Sequence, residues 1–122
     1  MPNYSIGSAY LIRQSAGGES LGGLTLKLRR CQPGDGEINV ELTDWMSGEP
    51  HPDAAELGEF ADAGLDGIRS FASDNDIDLS GLNILVHRFV YHPVDSNPRV
   101  YRQAGRSALR SALEAMAMRD LS

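Results

Sequence analysis

The sequence predicts an α+β fold: a two-layer sandwich in which a four-stranded sheet carries two helices on one face, in the order β-β-β-α-β-α. Three observations carry this. Apolar and polar residues alternate in the N-terminal part of the chain. Two later segments repeat apolar residues at spacings of three and four, the mark of helices with one buried stripe. Between those segments lies a nearly unbroken apolar run, as expected of a strand with contacts on both faces. The 122 residues fit one domain, 1–122, long enough to bury a real core.

Residues 4–13 are rich in strand formers and give the first strand. The glycines and serines of QSAGGESLGG, residues 14–23, predict a flexible connection. In the second strand Leu24, Leu26 and Leu28 point one way, while Thr25, Lys27 and Arg29 point the other. QPGDG, residues 32–36, predicts a turn, since proline and two glycines punctuate it. Alternation resumes with Ile38, Val40 and Leu42 against Asn39, Glu41 and Thr43, so the second and third strands read as a hairpin with one wet face.

Residues 46–53 are irregular. Asp53 and Glu56 then form a capping-box-like start for the first helix. Its stripe is Leu57, Phe60, Ala61, Gly64, Leu65, Ile68, Phe71 and Ala72, and SDNDIDLSG (73–81) ends it. The fourth strand is the apolar run 82–91. Asn97 is placed to cap the second helix, with Pro98 at its first position. The stripe of that helix is Tyr101, Ala104, Gly105, Ala108, Leu109, Ala112, Leu113 and Met116.

The formal net charge is −6, which disfavours a general nucleic-acid binder, because affinity for phosphate backbones comes mostly from lysine and arginine. The charge is uneven. Residues 1–40 have a net charge of +1, residues 41–80 of −10 and residues 81–122 of +3. A single cysteine, Cys31, excludes a disulfide within the chain and points to a reducing, cytoplasmic setting. No apolar run approaches the ~20 residues of a spanning helix. MPNYSIGSAY lacks the basic-then-apolar order of a secretory signal.

Candidate metal ligands are Cys31, His51, His87 and His92, but no two have a metal-site spacing, so no metal is expected. The glycine pairs lack the pattern of a phosphate loop, so no nucleotide or other cofactor is expected either. His92, Asp95 and Ser96 nominally offer a triad, yet three such residues within five positions of one loop rarely reach the geometry it requires. Asp95 and Ser96 suit bonds to loop amides. His92 either orders the strand-to-helix turn or recognises a partner; catalysis is the weaker reading.

Arg99, Arg102, Arg106 and Arg110 form one stripe on the second helix, and Glu59, Asp62 and Asp66 an acidic stripe on the first. These stripes either pair with each other and water, or the arginines contact RNA phosphate. On the fourth strand, Ile84, Val86 and Val90 can face the helices. Alternation then turns Leu85, Phe89 and Tyr91 outward, where they form a partner patch, as for a homodimer, or are covered by the N-terminal strand.

The order of elements, the turn RRCQPGDGE (29–37) and the run VHRFVYHPVDSNPRVYRQAGRSALRSALEAM (86–116) together resemble domain IV of translation elongation factor G. The resemblance covers roughly residues 24–116. It implies the fold of the second domain of small-subunit ribosomal protein five. In that family the domain is a tip that mimics part of a transfer RNA and enters the decoding region of the small ribosomal subunit. It implies that two loops, 30–36 and 92–97, meet at one end, with His92 beside Gln32 and Gly34. The contact residues so implied are Arg29, Arg30, Gln32, Gly34, His92, Asp95 and Ser96, none of them catalytic. The GTPase domain lies outside the resemblance, so no nucleotide is expected on this chain. The expected function is a non-enzymatic module that recognises the ribosome or a structured RNA. The alternative is a protein-interaction module of the same fold, acting through its exposed sheet face without an RNA role.

Overall fold

Four strands and two long helices appear in the expected order: β1 (Ser5–Ser15), β2 (Gly18–Arg30), β3 (Glu37–Trp45), α1 (Ala54–Asp74), β4 (Leu82–Val90) and α2 (Pro98–Asp120), with a 3₁₀ turn at Leu79–Gly81 leading into β4. They come from a computed structural model that describes residues 4–15, 18–45, 54–90 and 97–120. The strands form one mixed sheet in the order β1-β2-β4-β3.

This order corrects two expectations. β2 and β3 are not a hairpin. β4 lies between them, antiparallel to β2 and parallel to β3. The physical reason is the apolar run of β4: a strand that is apolar on both sides of its backbone gains most from a central position. β3, with Glu37, Asn39 and Glu41 exposed, tolerates the edge. The true hairpin is β1–β2, whose register runs without a break from Ser5↔Leu28 to Ser15↔Gly18. Most of the stretch read as a flexible connection is therefore strand. Its glycines serve close packing: a Cβ at Gly22 would press on Val100 and Tyr101, and one at Gly23 on the Ala9 carbonyl.

The core lies between the sheet and the helices. Leu24, Leu26 and Leu28 of β2 meet Leu82, Ile84 and Val86 of β4, Phe60, Ile68 and Ala72 of α1, and Tyr101, Ala108 and Leu109 of α2. Both predicted helical stripes are buried or half-buried throughout. Asn97 caps α2 as expected, its Oδ1 accepting from the Val100 N–H at 3.0 Å, with Pro98 first in the helix. Asp53 lies outside the described residues. The end of α1 is a Schellman motif: Ile77 N–H donates to Ala72 O at 2.8 Å, and Asp76 takes the left-handed conformation, φ 54°, usually given to glycine.

A third correction concerns Phe89. Thr25 pairs with Arg88 but Leu26 pairs with Val86, so His87 is an extra residue in β4. A bulge of this kind shifts the period of two, and every later side chain changes face. Val86 and Phe89 are consequently both 1% exposed and inward. Burying a phenylalanine stabilises by about 1.5–3 kcal/mol, which an outward Phe89 would forfeit. The patch Leu85–Phe89–Tyr91 thus does not exist as expected: Leu85 is half-buried on the outer face, Phe89 is core, and Tyr91 lies outside the described residues.

α1 and α2 touch backbone to backbone. A Cβ at Gly105 would overlap the Gly64 carbonyl, and one at Gly67 would overlap the carbonyl of Arg102. On its other side α2 closes onto β1, where a Cβ at Gly7 would overlap Ala108 and Ala112. Gly58, also in α1, has nothing within 4 Å of a would-be Cβ. Urea unfolding should separate these roles. Gly67→Ala and Gly105→Ala should each destabilise by about 1–3 kcal/mol through overpacking, whereas Gly58→Ala should stabilise by about 0.5–1 kcal/mol through helix propensity.

Candidate functional site

The described residues singled out by the resemblance, Arg29, Arg30, Gln32 and Gly34, stand at or beside one end of the sheet. Arg30 pairs with Leu82 at the start of β4, while Val90, at its end, pairs with Gly23. Eight residue steps of strand separate Leu82 from Val90, about 26 Å. Turn 31–36 follows Arg30 at the first end, whereas Val90 stands at the second, tied there to the start of α2. The expected meeting of the two loops rests partly on residues 92–96, which lie outside the described residues; the described anchors, Arg30 and Val90, stand at opposite ends of the sheet. That expectation assumed a β2–β3 hairpin, and the insertion of an antiparallel β4 places the β2–β3 turn beside the beginning of β4, not its end.

The turn end is tightly closed. Cys31 N–H donates to Gly81 O at 2.9 Å, and the Gly34 and Gly36 amides both donate to Ser80 O, at 3.0 and 2.8 Å. Gly34 has φ 96°, a left-handed value that requires glycine here. Asp78 caps the 3₁₀ turn: its Oδ1 accepts from the Ser80 hydroxyl at 2.7 Å and from the Ser80 N–H at 3.0 Å. The hydroxyl, and then the amide, hold its carboxyl below the ordinary value of 3.8. Gln32 and Gly34 are exposed, as is Arg30, among the acidic Asp35, Glu37 and Asp78.

The other end is built differently. β2 starts at Gly18 but meets β4 only from Gly23. Among the described residues, its first five, paired with Leu11–Ser15 of β1, therefore extend past the end of β4 as a two-stranded ribbon of about 17 Å. Beside the ribbon α2 begins. The Tyr101 hydroxyl donates to Val90 O at 2.6 Å and ties the end of β4 to the helix. The Tyr101 ring lies 4.6 Å from Phe60 and edge-on to Phe89 at 5.3 Å, an aromatic cluster beneath this end. His92, Asp95 and Ser96 lie outside the described residues, as does His51.

The arginine stripe of α2 is mostly neutralised. Arg102 pairs with Asp66 and Arg106 with Asp74, each at 2.9 Å across the helix seam, and Arg110 pairs with Glu114 in its own helix at 3.1 Å. Asp74, which the sequence spacing did not single out, thus joins Asp66 in the seam. Each exposed pair contributes about 0–1 kcal/mol. Arg29 is half-buried on the outer sheet face, 5.6 Å from the Tyr4 ring centre. Those two residues, with Asn39 and Leu85, line an open groove of about 450 Å³. Cys31 and His87 are about 20 Å apart along β4, and no cluster of metal-ligating side chains occurs among the described residues. No described helix is long and apolar enough to cross a membrane.

No family model matches the chain, and no curated protein matches it. Solved structures do match. A crystal structure of a Thermus thermophilus protein superposes on 93% of this chain with a TM-score of 0.68 and 20% sequence identity. The likeness is one of fold. This chain spans 16% of the length of that protein.

Tyr101→Phe should keep the aromatic cluster, lose the bond to Val90 and cost about 1 kcal/mol in thermal unfolding. Asp78→Asn should lower stability near neutral pH. Because the folded carboxyl titrates below its unfolded value, its stabilisation is present above that value and disappears as pH falls through the folded one. The difference between parent and variant, followed by urea unfolding, should therefore shrink below pH 3.8.

Proposed function

We propose that this domain is a non-enzymatic recognition module for structured RNA, ribosomal RNA first, acting in the cytoplasm in the manner of the elongation factor G tip domain it resembles. The observation that carries the reading is the overhanging β1–β2 ribbon beside the start of α2. A ribbon that extends about 17 Å past the described end of β4 has the reach to enter a nucleic-acid groove. The positive end of the α2 dipole lies here, although Pro98 has no N–H and Asn97 takes the Val100 amide. The first turn of α2 contains no acidic side chain, and Arg99 within it is exposed. Arg13 stands on the ribbon's β1 strand. Groups of this kind contact phosphates and position a domain on its target.

This reading keeps His92, Asp95 and Ser96, which belong to the connection between β4 and α2. It drops Arg29, Arg30, Gln32 and Gly34 as contacts, because they sit at the acidic opposite end or on the sheet face. The strong negative charge of residues 41–80 limits binding to unselected polyanions, so recognition rests on the fit of one end.

Co-sedimentation with small ribosomal subunits across a salt series tests it. Binding should weaken steeply with salt. Arg99→Ala and Arg13→Ala should each weaken binding about tenfold and reduce the salt slope by about one. His92→Ala should weaken it as well, and Arg30→Ala should leave it unchanged. Absence of binding at low salt, or an Arg30→Ala effect as large as that of Arg99→Ala, removes the reading.

A further inference from the structure

The groove of about 450 Å³ on the outer face of the sheet has two walls of opposite charge. Its floor is β4, where Asn83 and the half-buried Leu85 face outward. One wall is β2, with Arg29, and the other is β3, with Glu37 and Glu41. Asn83 pairs with Arg29 on one side and with Glu37 on the other, so the walls stand two strand spacings apart, about 10 Å. Their charges do not pair across it. Among the described residues Arg29 makes no hydrogen bond or ion pair: its Nε is buried without a partner, and the Tyr4 ring braces the guanidinium from 5.6 Å. A held cation with no internal counter-ion requires an explanation. The acidic wall is ordered. The Glu37 N–H donates to Asn83 Oδ1 at 3.1 Å, and the Asn39 side-chain amide donates to the Glu37 carboxylate at 3.4 Å.

We infer that this groove binds a small zwitterion of the size of a free amino acid, its carboxylate on Arg29 and its ammonium on Glu37 and Glu41. The planar guanidinium fork matches a carboxylate. With the side chains standing above their own strands, a charge-assisted contact of about 2.8 Å at each wall leaves only a few ångströms between the two charges of the ligand. That is the separation of an ammonium and a carboxylate on one carbon. A plain anion drawn to Arg29 is opposed by Glu37 and Glu41, and a plain cation drawn to them is opposed by Arg29, so the groove selects a molecule that carries both charges. Leu85, between the walls, offers contact to an apolar side chain. The groove uses neither Arg13 nor Arg99, so it stands apart from the end proposed for RNA.

Titration of the whole chain with leucine, followed by the NMR signals of its backbone amides, tests this. Saturable shifts should appear at Arg29, Asn39, Asn83 and Leu85. Acetate and methylammonium, which carry one of the two charges each, should bind at least about tenfold more weakly. Arg29→Gln and Glu37→Gln should each weaken leucine binding about tenfold, with the remaining signals in place to show that the fold is intact, whereas Arg99→Ala should leave it unchanged. Absence of saturable shifts up to the solubility of leucine overturns the inference. So does acetate binding as strong as that of leucine, which would make the groove a plain anion site. Leucine binding that survives both glutamine variants overturns it as well.

Discussion

The backbone contact between α1 and α2 sets the dimensions of everything else. Gly67 and Gly105 let two helices approach until the carbonyls of Arg102 and Gly64 stand where their side chains would be. α2 is then held close on both sides, against α1 and against β1 at Gly7, and its buried positions Ala104, Ala108 and Ala112 are as small as that spacing requires. The larger volume is supplied by leucines on β2 and by the aromatic cluster of Phe60, Phe89 and Tyr101. Small residues where the backbones touch and large ones elsewhere thus fill one layer. The ion pairs Arg102–Asp66 and Arg106–Asp74 lie over the same seam, where they seal its rim and contribute little to its strength.

The bulge at His87 matters for a different reason. It lets β4 be a continuous inward surface near both of its ends, with Leu82, Ile84 and Val86 before the extra residue and Phe89 after it. Without it Phe89 would face water and Tyr101 would lose its edge-on neighbour. The end of the sheet that begins α2 would then rest on a thinner core. The site proposed for RNA therefore depends on a single inserted residue in β4.

Much of the fold was legible. The strand and helix order, the inward leucines of β2, both helix stripes and the Asn97 cap follow from local periodicity and local chemistry, and a short window contains all the information they require. What local reading missed is long-range. Strand order depends on which edges β4 can satisfy, and residues 82–91 alone do not declare a partner. The bulge at His87 has no glycine or proline to announce it, so alternation ran through it and put Phe89 on the wrong face. The ribbon was hidden because glycine and serine signal loops, whereas here the glycines admit Val100 and the backbone of β1. The relation between the two candidate loops is likewise a property of topology, so it hung on the strand order that local reading could not supply.

The central place of β4 has a consequence for synthesis. In an N-to-C chain, β1, β2, β3 and α1 are all made before the strand that joins them. Until β4 emerges, β2 has an unfilled inner edge and β3 has no neighbour at all. The sheet closes only through contacts between residues roughly sixty positions apart, an entropic cost that slows folding. During that interval the nascent polypeptide presents open strands rich in leucine, the condition under which chains misassociate and chaperones engage.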